Sequence, residues 1–134
     1  MTPTNEQIYT ALITILNGAA LGYPVIYEGF TKTPPSTGVW LQVSFFPNRG
    51  IDYDTANTEE VVPQGNFQVE VFTRPFKSLA EKTALDTAIF SVMSLYAKGT
   101  AITGRVRVYR PPYANGLDPL PDRISTVVTI PYSG

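Results

Sequence analysis

The sequence predicts an α+β fold, with two α-helices packed on one face of a mostly antiparallel or mixed β-sheet of about five strands. Apolar and polar residues alternate between Gly65 and Thr73, which indicates a strand with one buried face. Apolar residues recur at helical spacing between Ser78 and Ala97. The elements follow the order α-β-β-β-α-β-β along the chain, which is typical of helices grouped against one sheet.

One helix and two strands are expected before that alternating strand. Thr4 and Gln7 have the spacing of a capping box, which predicts the start of a helix over Glu6–Leu16. A short apolar run at Tyr23–Tyr27 predicts a strand. The clearest strand is Val39–Phe46, with Val39, Leu41, Val43 and Phe45 on its buried face and Trp40, Gln42 and Ser44 on the other.

The long helix is expected to begin at Ser78, because Ser78 and Glu81 have the spacing of a second capping box. A helix of about 20 residues measures roughly 30 Å, which is long enough to cross a small sheet. We therefore expect the rest of the chain to pack around this helix, through its apolar stripe of Ala84, Leu85, Ala88, Ile89, Val92, Met93 and Tyr96.

Two more strands are predicted after the long helix. Arg105–Arg110 alternates charged or aromatic residues with valines, and Arg123–Tyr132 is rich in β-branched residues. The proline-rich segment Pro111–Pro121 between them is predicted to be a loop of partly polyproline-like conformation.

The segment Asn48–Gln64 has no sustained period and is acidic. At about 17 residues it exceeds the usual loop range, so it is expected to be functional or mobile, or to form a long irregular β-ribbon. It contains six of the residues that we predict to lie at an oligomer or partner interface, namely Arg49, Asp52, Tyr53, Asp54, Glu59 and Glu60.

Composition predicts a single globular domain over residues 1–134, with 43% hydrophobic and 16% charged residues. The charged fraction is low, which is explained either by surfaces covered by partners or by ordinary scatter. A net charge of −1 provides no long-range field for nucleic acid or membrane. No stretch approaches the ~18 apolar residues of a membrane span, and no signal peptide is apparent, so we expect a protein made and used in a cytosol or in an assembly built there.

The sequence offers little catalytic chemistry. It has no cysteine and no histidine, which removes the thiolate nucleophile, the commonest general base and the commonest metal ligand. No motif places a base beside a serine or threonine. We therefore predict no catalytic residue, no bound metal and no cofactor, and a protein that is not an enzyme.

Two weaker hypotheses concern bound ions and phosphates. Asp52, Asp54 and Glu59 have oxygen ligands suited to Ca²⁺ or Mg²⁺, as a carboxylate-metal hydrolase would need. A solvated acidic loop is favoured instead, because the glycine and the distal glutamate of a calcium-binding loop are missing. The arginines of Arg105–Arg110 have the charge to contact phosphates, but pairing with Glu70 across the sheet is favoured.

Four further residues complete the predicted interface. Trp40, Arg105 and Arg107 are expected on the sheet face away from the helices, and Tyr113 is expected in the proline-rich loop, where aromatic residues often contact partners. An exposed sheet edge would also allow a peptide-binding module that works by strand addition. The remaining large aromatic residues Phe67, Phe90 and Tyr96 are expected in the core.

The order and the residue patterns of these elements resemble those of the phage tail terminator-like family, the small minor tail proteins of long-tailed phages and prophages. The likeness covers almost the whole chain, and no catalytic signature contributes to it. It is carried by the helix Glu6–Leu16 with the strand Val25–Glu28, by Val39–Phe46, by Gly65–Phe72 followed by Ser78–Ala97, and by Gly104–Pro112 followed by the closing strand to Tyr132.

The resemblance implies a homo-oligomeric ring, typically a hexamer, that caps the tail tube, stops its polymerisation and offers a face to the head. The implied partners are other copies of the chain, the tail tube protein and the head–tail connector protein, with DNA only passing through the lumen. The implied location is the virion tail, assembled in the host cytoplasm. Another head–tail joining or tail completion protein of the same architecture is the nearest alternative.

Overall fold

The computed structural model describes residues 3–30, 33–48 and 63–134. Within these residues the chain forms two helices and eight strands: α1 (Asn5–Gly18), β1 (Val25–Ile26), β2 (Trp40–Pro47), β3 (Gln64–Thr73), α2 (Leu79–Leu95), β4 (Ala101–Thr103), β5 (Val106–Val108), β6 (Tyr113–Ala114), β7 (Asp118–Pro119) and β8 (Ile124–Ser133). The predicted α+β class is confirmed, with eight strands in place of about five. Neither of these helices has the length and apolarity to cross a membrane.

All eight strands belong to one mixed sheet, whose main path is β1-β2-β3-β8-β5-β4. β1 runs parallel to β2, and the other pairs are antiparallel. The longest ladder joins β3 to β8 in ten consecutive pairs, from Gln64 opposite Ser133 to Thr73 opposite Ile124. These two strands therefore form the centre of the sheet.

The hydrophobic core lies between the inner sheet face and the two helices. The predicted alternation is confirmed in β3, where Phe67, Val69 and Val71 are fully buried. The hydroxyl of Tyr96, at the end of α2, donates to the Leu12 carbonyl of α1 at 2.8 Å and ties the helices together. The other fully buried core side chains include Ile8, Leu41, Val43, Leu85, Val92, Val106, Val108, Val128, Ile130 and Tyr132.

Both helices begin where the capping residues predict. Thr4 Oγ1 accepts from the Gln7 N–H at 3.1 Å, and Gln7 Oε1 accepts from the Thr4 N–H at 2.9 Å, so the first capping box is complete. At α2, Ser78 Oγ accepts from the Glu81 N–H, whereas Glu81 Oε2 accepts from the Lys77 N–H. The second box therefore reaches one residue further back than predicted.

The prediction that Phe90 lies in the core is wrong, because its side chain is 72% exposed. Phe90 follows the buried Leu85 by five residues, which places it about 140° around the helix from that side chain. Ala84, assigned to the apolar stripe, is also exposed. The two sides of α2 are both partly apolar, so the composition of the helix does not by itself reveal the buried side.

The proline-rich segment is not only a loop, because β6 and β7 pair with β8. The Asn115 N–H donates to the Val127 carbonyl at 3.0 Å, and the Thr126 hydroxyl donates to the Asn115 carbonyl. β5 pairs with β8 only at Tyr132 and Ser133, which leaves the rest of that edge open to β6 and β7. The short strand β4 was likewise not predicted.

Gly65 is required by the close approach of neighbouring atoms. A Cβ atom at this position would lie 2.6 Å from both the Phe46 carbonyl oxygen and the Tyr132 hydroxyl. Gly65→Ala is therefore expected to lower the free energy of unfolding by about 1–3 kcal/mol, as measured by chemical denaturation. The matched control is Gly116→Ala, where an added Cβ has no neighbour within 4 Å, so equal losses in the two variants would contradict this account.

The two buried tyrosines should respond differently to loss of their hydroxyls. Tyr96→Phe removes the bond to Leu12 and should cost about 0.5–1.5 kcal/mol at pH 7. The buried Tyr132 hydroxyl has no partner among the described residues, so Tyr132→Phe should cost about 0.5 kcal/mol or less. Urea denaturation of both variants at pH 7 checks this order.

Alkaline pH should destabilise the fold through ionisation of Tyr132. Burial raises the pKa of Tyr132 to about 12, whereas an unfolded tyrosine titrates near 10. Between these values the unfolded chain loses a proton that the folded chain keeps, so stability falls as pH rises from about 10 to 12. Tyr132→Phe should make that fall less steep, and an unchanged slope would show that Tyr132 does not contribute.

Candidate interaction surfaces

Six of the ten predicted interface residues, Arg49, Asp52, Tyr53, Asp54, Glu59 and Glu60, lie outside the described residues. Their role in an interface stays a prediction, as does the conformation of the long acidic segment. In the described part of the chain, no group of three or more acidic, cysteine or histidine side chains has the arrangement to hold a metal ion.

Trp40 lies on the sheet face away from the helices, as predicted, but its side chain is fully buried there and is not part of an accessible surface. Its ring stacks on that of Phe72, its neighbour across β2 and β3, with centroids 5.3 Å apart and an interplanar angle of 5°. Ile26 completes this outer cluster. Arg74 and Arg123 cover the Trp40 ring, with their guanidinium carbons 5.0 and 5.9 Å from its centroid.

The same two arginines connect three separate parts of the chain. Arg74 donates through Nε and Nη2 to the Pro35 carbonyl, at 3.1 and 2.8 Å, and through Nη1 to the Asp122 carbonyl at 3.2 Å. Asp122 also pairs with Arg123 at 3.0 Å. Hydrogen bonding and the charge of Arg123 lower the pKa of the Asp122 carboxyl. The ion pair between Arg123 and Asp122 and the outer cluster around Trp40 together cover the part of the outer face near the end of β3.

Arg105 and Arg107 are exposed, as predicted, but they do not pair with Glu70. β8 lies between β3, which carries Glu70, and β5, which carries Arg107. Glu70 stands opposite Val127 of β8 and Arg107 stands opposite Ser133, so the two side chains are also far apart along the strands and the predicted pairing across the sheet does not form. The hydrogen bond from Arg123 to Asp122 raises the pKa of Arg123, and the charge of Glu70 adds to that rise. Arg105 and Arg107 are thus available on the surface.

The middle of the outer face is polar. Gln42, Ser44, Gln68 and Glu70 stand opposite one another across β2 and β3. Tyr113 of β6 pairs with Thr129 on the edge of β8 that does not face β3, and it is 52% exposed. The predicted wet face is therefore present next to the closed aromatic cluster, and Tyr113 remains accessible.

Several large apolar side chains are exposed that sequence analysis did not assign to a surface. On α2, Leu79 is 78% and Phe90 is 72% exposed, and their positions fall on one side of the helix. Phe30 and Phe46, at the β1–β2 side of the sheet, are 72% and 52% exposed. Contiguous apolar patches often mark protein contacts, whereas single exposed apolar side chains are common on protein surfaces.

A depression with a volume of about 320 Å³ lies between the first turn of α1 and the end of β2. Glu28 reaches into this region, where its Oε2 accepts from the Phe45 N–H at 2.6 Å. Burial and the nearby charge of Glu28 raise the pKa of Tyr9. We call this depression the edge pocket; it is lined by Asn5, Glu6, Tyr9, Glu28, Phe45 and Pro47.

Comparison with protein families shows which family the chain belongs to. Residues 7–132 match the family described as phage tail terminator protein. The chain belongs to the phage tail terminator family. As a member of this family it is a structural protein of the phage tail, and its location is the tail of the virion.

Solved structures agree with the fold of this terminator chain. One protein structure superposes with a TM-score of 0.78 at 20% sequence identity, covering 97% of this chain and 94% of that one, which supports the fold alone. A chain from the structure titled "Virion of native gene transfer agent (GTA) particle" aligns over the same shares with a TM-score of 0.45 and 15% identity, and at that similarity it carries no argument. No curated protein matches the sequence.

Loss of the Arg74 side chain should expose the tryptophan of this terminator chain. Trp40 is the single tryptophan, so its fluorescence reports on the outer cluster directly. Arg74→Ala is expected to shift its emission to longer wavelength and to cost about 1–3 kcal/mol, because a cation–π contact and three hydrogen bonds are lost.

The matched control for this change is Lys82→Ala on α2. Lys82 forms only an exposed pair with Asp86, four residues away, and its loss should cost about 0.5 kcal/mol or less with no change in emission. If Arg74→Ala left the emission unchanged, the cluster would not depend on the arginine.

Proposed function

We propose that this protein ends tail assembly by closing the tip of the tail tube as a ring of identical subunits, most simply a hexamer. The ring stops further addition of tube subunits and presents its opposite face to the head. The observation that carries this proposal is the match to the phage tail terminator family over residues 7–132. The whole chain, residues 1–134, then acts as one terminator domain.

The exposed surface of the described residues supports an assembled state. Phe30, Phe46, Leu79 and Phe90 are each more than half exposed in the isolated subunit. Contact with other subunits or with the tube would remove such side chains from water, which is favourable at about 25 cal/mol per Å² of apolar area. In a free monomer these side chains would stay in contact with water, without that favourable free energy of burial.

A ring also requires two different patches on each subunit, because every copy contacts its neighbours head to tail. The sheet ends in two different edges, β1 with part of β2 on one side and β4 on the other. We propose that these edges, together with the predicted residues Arg105, Arg107 and Tyr113 and the acidic residues between Arg49 and Glu60, form the contacts. Trp40 would not touch another subunit itself, because its side chain is buried, but it would stabilise the sheet that carries these contacts.

The proposed partners are the tail tube protein on one face and the head–tail connector protein on the other. DNA would pass through the lumen only transiently, and the net charge of −1 is compatible with weak contact to its phosphates. Folding and assembly would take place in the host cytoplasm before the tail joins the head.

Electron microscopy of particles made without this protein tests the proposal. Overlong tail tubes are expected, because nothing would stop the addition of tube subunits. Tails of normal length that have detached from heads would instead indicate a head–tail joining protein, and would contradict tail termination. Adding back the intact protein from a plasmid should restore normal tail length and is the control.

A further inference from the structure

The chain contains two Asn-Gly pairs, Asn17–Gly18 and Asn115–Gly116. In such a pair the backbone nitrogen of the glycine can attack the side-chain carbonyl carbon of the asparagine, because glycine has no side chain to obstruct the approach. A new C–N bond closes a cyclic imide, and the side-chain amide nitrogen leaves as ammonia with the proton of the glycine N–H. Water then opens the imide and leaves aspartate or isoaspartate, with no oxidant or reductant required.

The pair Asn115–Gly116 has both reacting groups free. It lies between β6 and β7, and both of its residues are exposed. A Cβ atom added at Gly116 would meet nothing within 4 Å, so the surroundings are open. Within the described residues, no hydrogen bond holds the Asn115 side chain or the Gly116 N–H. The nitrogen of Gly116 can therefore approach the Asn115 side chain without breaking any contact.

The pair Asn17–Gly18 is equally exposed and has equally open surroundings at its glycine, but its groups are held. Gly18 is the last residue of α1, so its N–H bonds to the carbonyl oxygen four residues earlier. The Tyr27 hydroxyl donates to Asn17 Oδ1 at 2.8 Å. Attack at this pair would first require the end of the helix to open and the tyrosine bond to break.

We propose that Asn115 is a site of spontaneous deamidation in the folded protein and that the fold protects Asn17 from the same reaction. The only co-reactant is water, and the products are ammonia and an aspartate or isoaspartate at position 115. This inference concerns the folded subunit and does not depend on the proposed ring.

Isoaspartate at this position would change how the proline-rich segment is attached to β8. The backbone would then run through the former side chain of Asn115, which adds a methylene group before Gly116. The Asn115 carbonyl oxygen, which accepts from the Thr126 hydroxyl, would belong to a free carboxylate outside the backbone path. We expect the longer connection to weaken the pairing of β7 with β8. The product also places a negative charge in the stretch from Lys98 to Leu117, which has no acidic residue.

Peptide mapping by mass spectrometry tests the proposed site. The purified full chain is kept in mildly alkaline buffer, below the pH range in which tyrosines ionise, and isoaspartate is labelled with an isoaspartyl methyltransferase. We expect Asn115 to react at least about tenfold faster than Asn17, because two hydrogen bonds must break before Asn17 can react. Equal rates, or a faster reaction at Asn17, would overturn the inference.

Two controls separate the chemistry from the fold. Gly116→Ala fits the open space at that position and should slow the reaction at Asn115 about tenfold without changing the rate at Asn17. An unchanged rate at Asn115 would show that the imide route is not used. In concentrated urea the two pairs should react at similar rates, and a difference that persisted in the unfolded chain would contradict protection by the fold.

The effect on β7 is tested with the isoaspartate form, which ion exchange separates through its added negative charge. It should unfold at a lower urea concentration than Asn115→Asp, a variant that adds the charge without the methylene group. Equal unfolding midpoints would contradict the weakened pairing of β7 with β8.

Discussion

The continuous backbone ladder between β3 and β8 is the constraint on which the rest of the structure depends. Its ten pairs fix which side chains of both strands face the helices, since a shift by one residue would exchange the two faces. Phe67 and Val69 on one strand and Val128 and Ile130 on the other thereby form the floor on which α1 and α2 pack. β8 also pairs with β5, β6 and β7, so it positions three of the four short strands that follow α2, and β4 is held by β5.

Sequence analysis could predict the elements whose signal is local. β3 alternates apolar and polar residues, β2 does so from Leu41 to Phe45, and β8 is rich in β-branched residues. The helices begin at capping residues, so the positions of all these elements follow from neighbouring residues. The short strands β4, β6 and β7 exist because an edge of β5 or β8 is available to them, which is a property of the folded sheet. The long helix also carries apolar residues on its exposed side, so the environment of Phe90 depends on packing that the sequence does not state.

The interaction surfaces were predictable only in part, for the same reason. Exposure of Arg105 and Arg107 follows from strand alternation, whereas burial of Trp40 depends on Arg74 and Arg123, which come from the end of β3 and the start of β8. The edge pocket combines the first turn of α1 with Glu28 and the end of β2, segments that are distant in sequence. The sequence does show directly that one surface segment is basic, because Lys98 to Leu117 contains basic residues and no acidic ones.

The end of β2 is also protected against backbone pairing with another strand. The Phe45 N–H on that edge is already taken by Glu28, and Pro47 has no N–H to give. An arriving strand would find no free donor at these two positions, so the end of β2 is a poor template for backbone pairing. Edge-to-edge association of copies through this part of the sheet is thereby disfavoured.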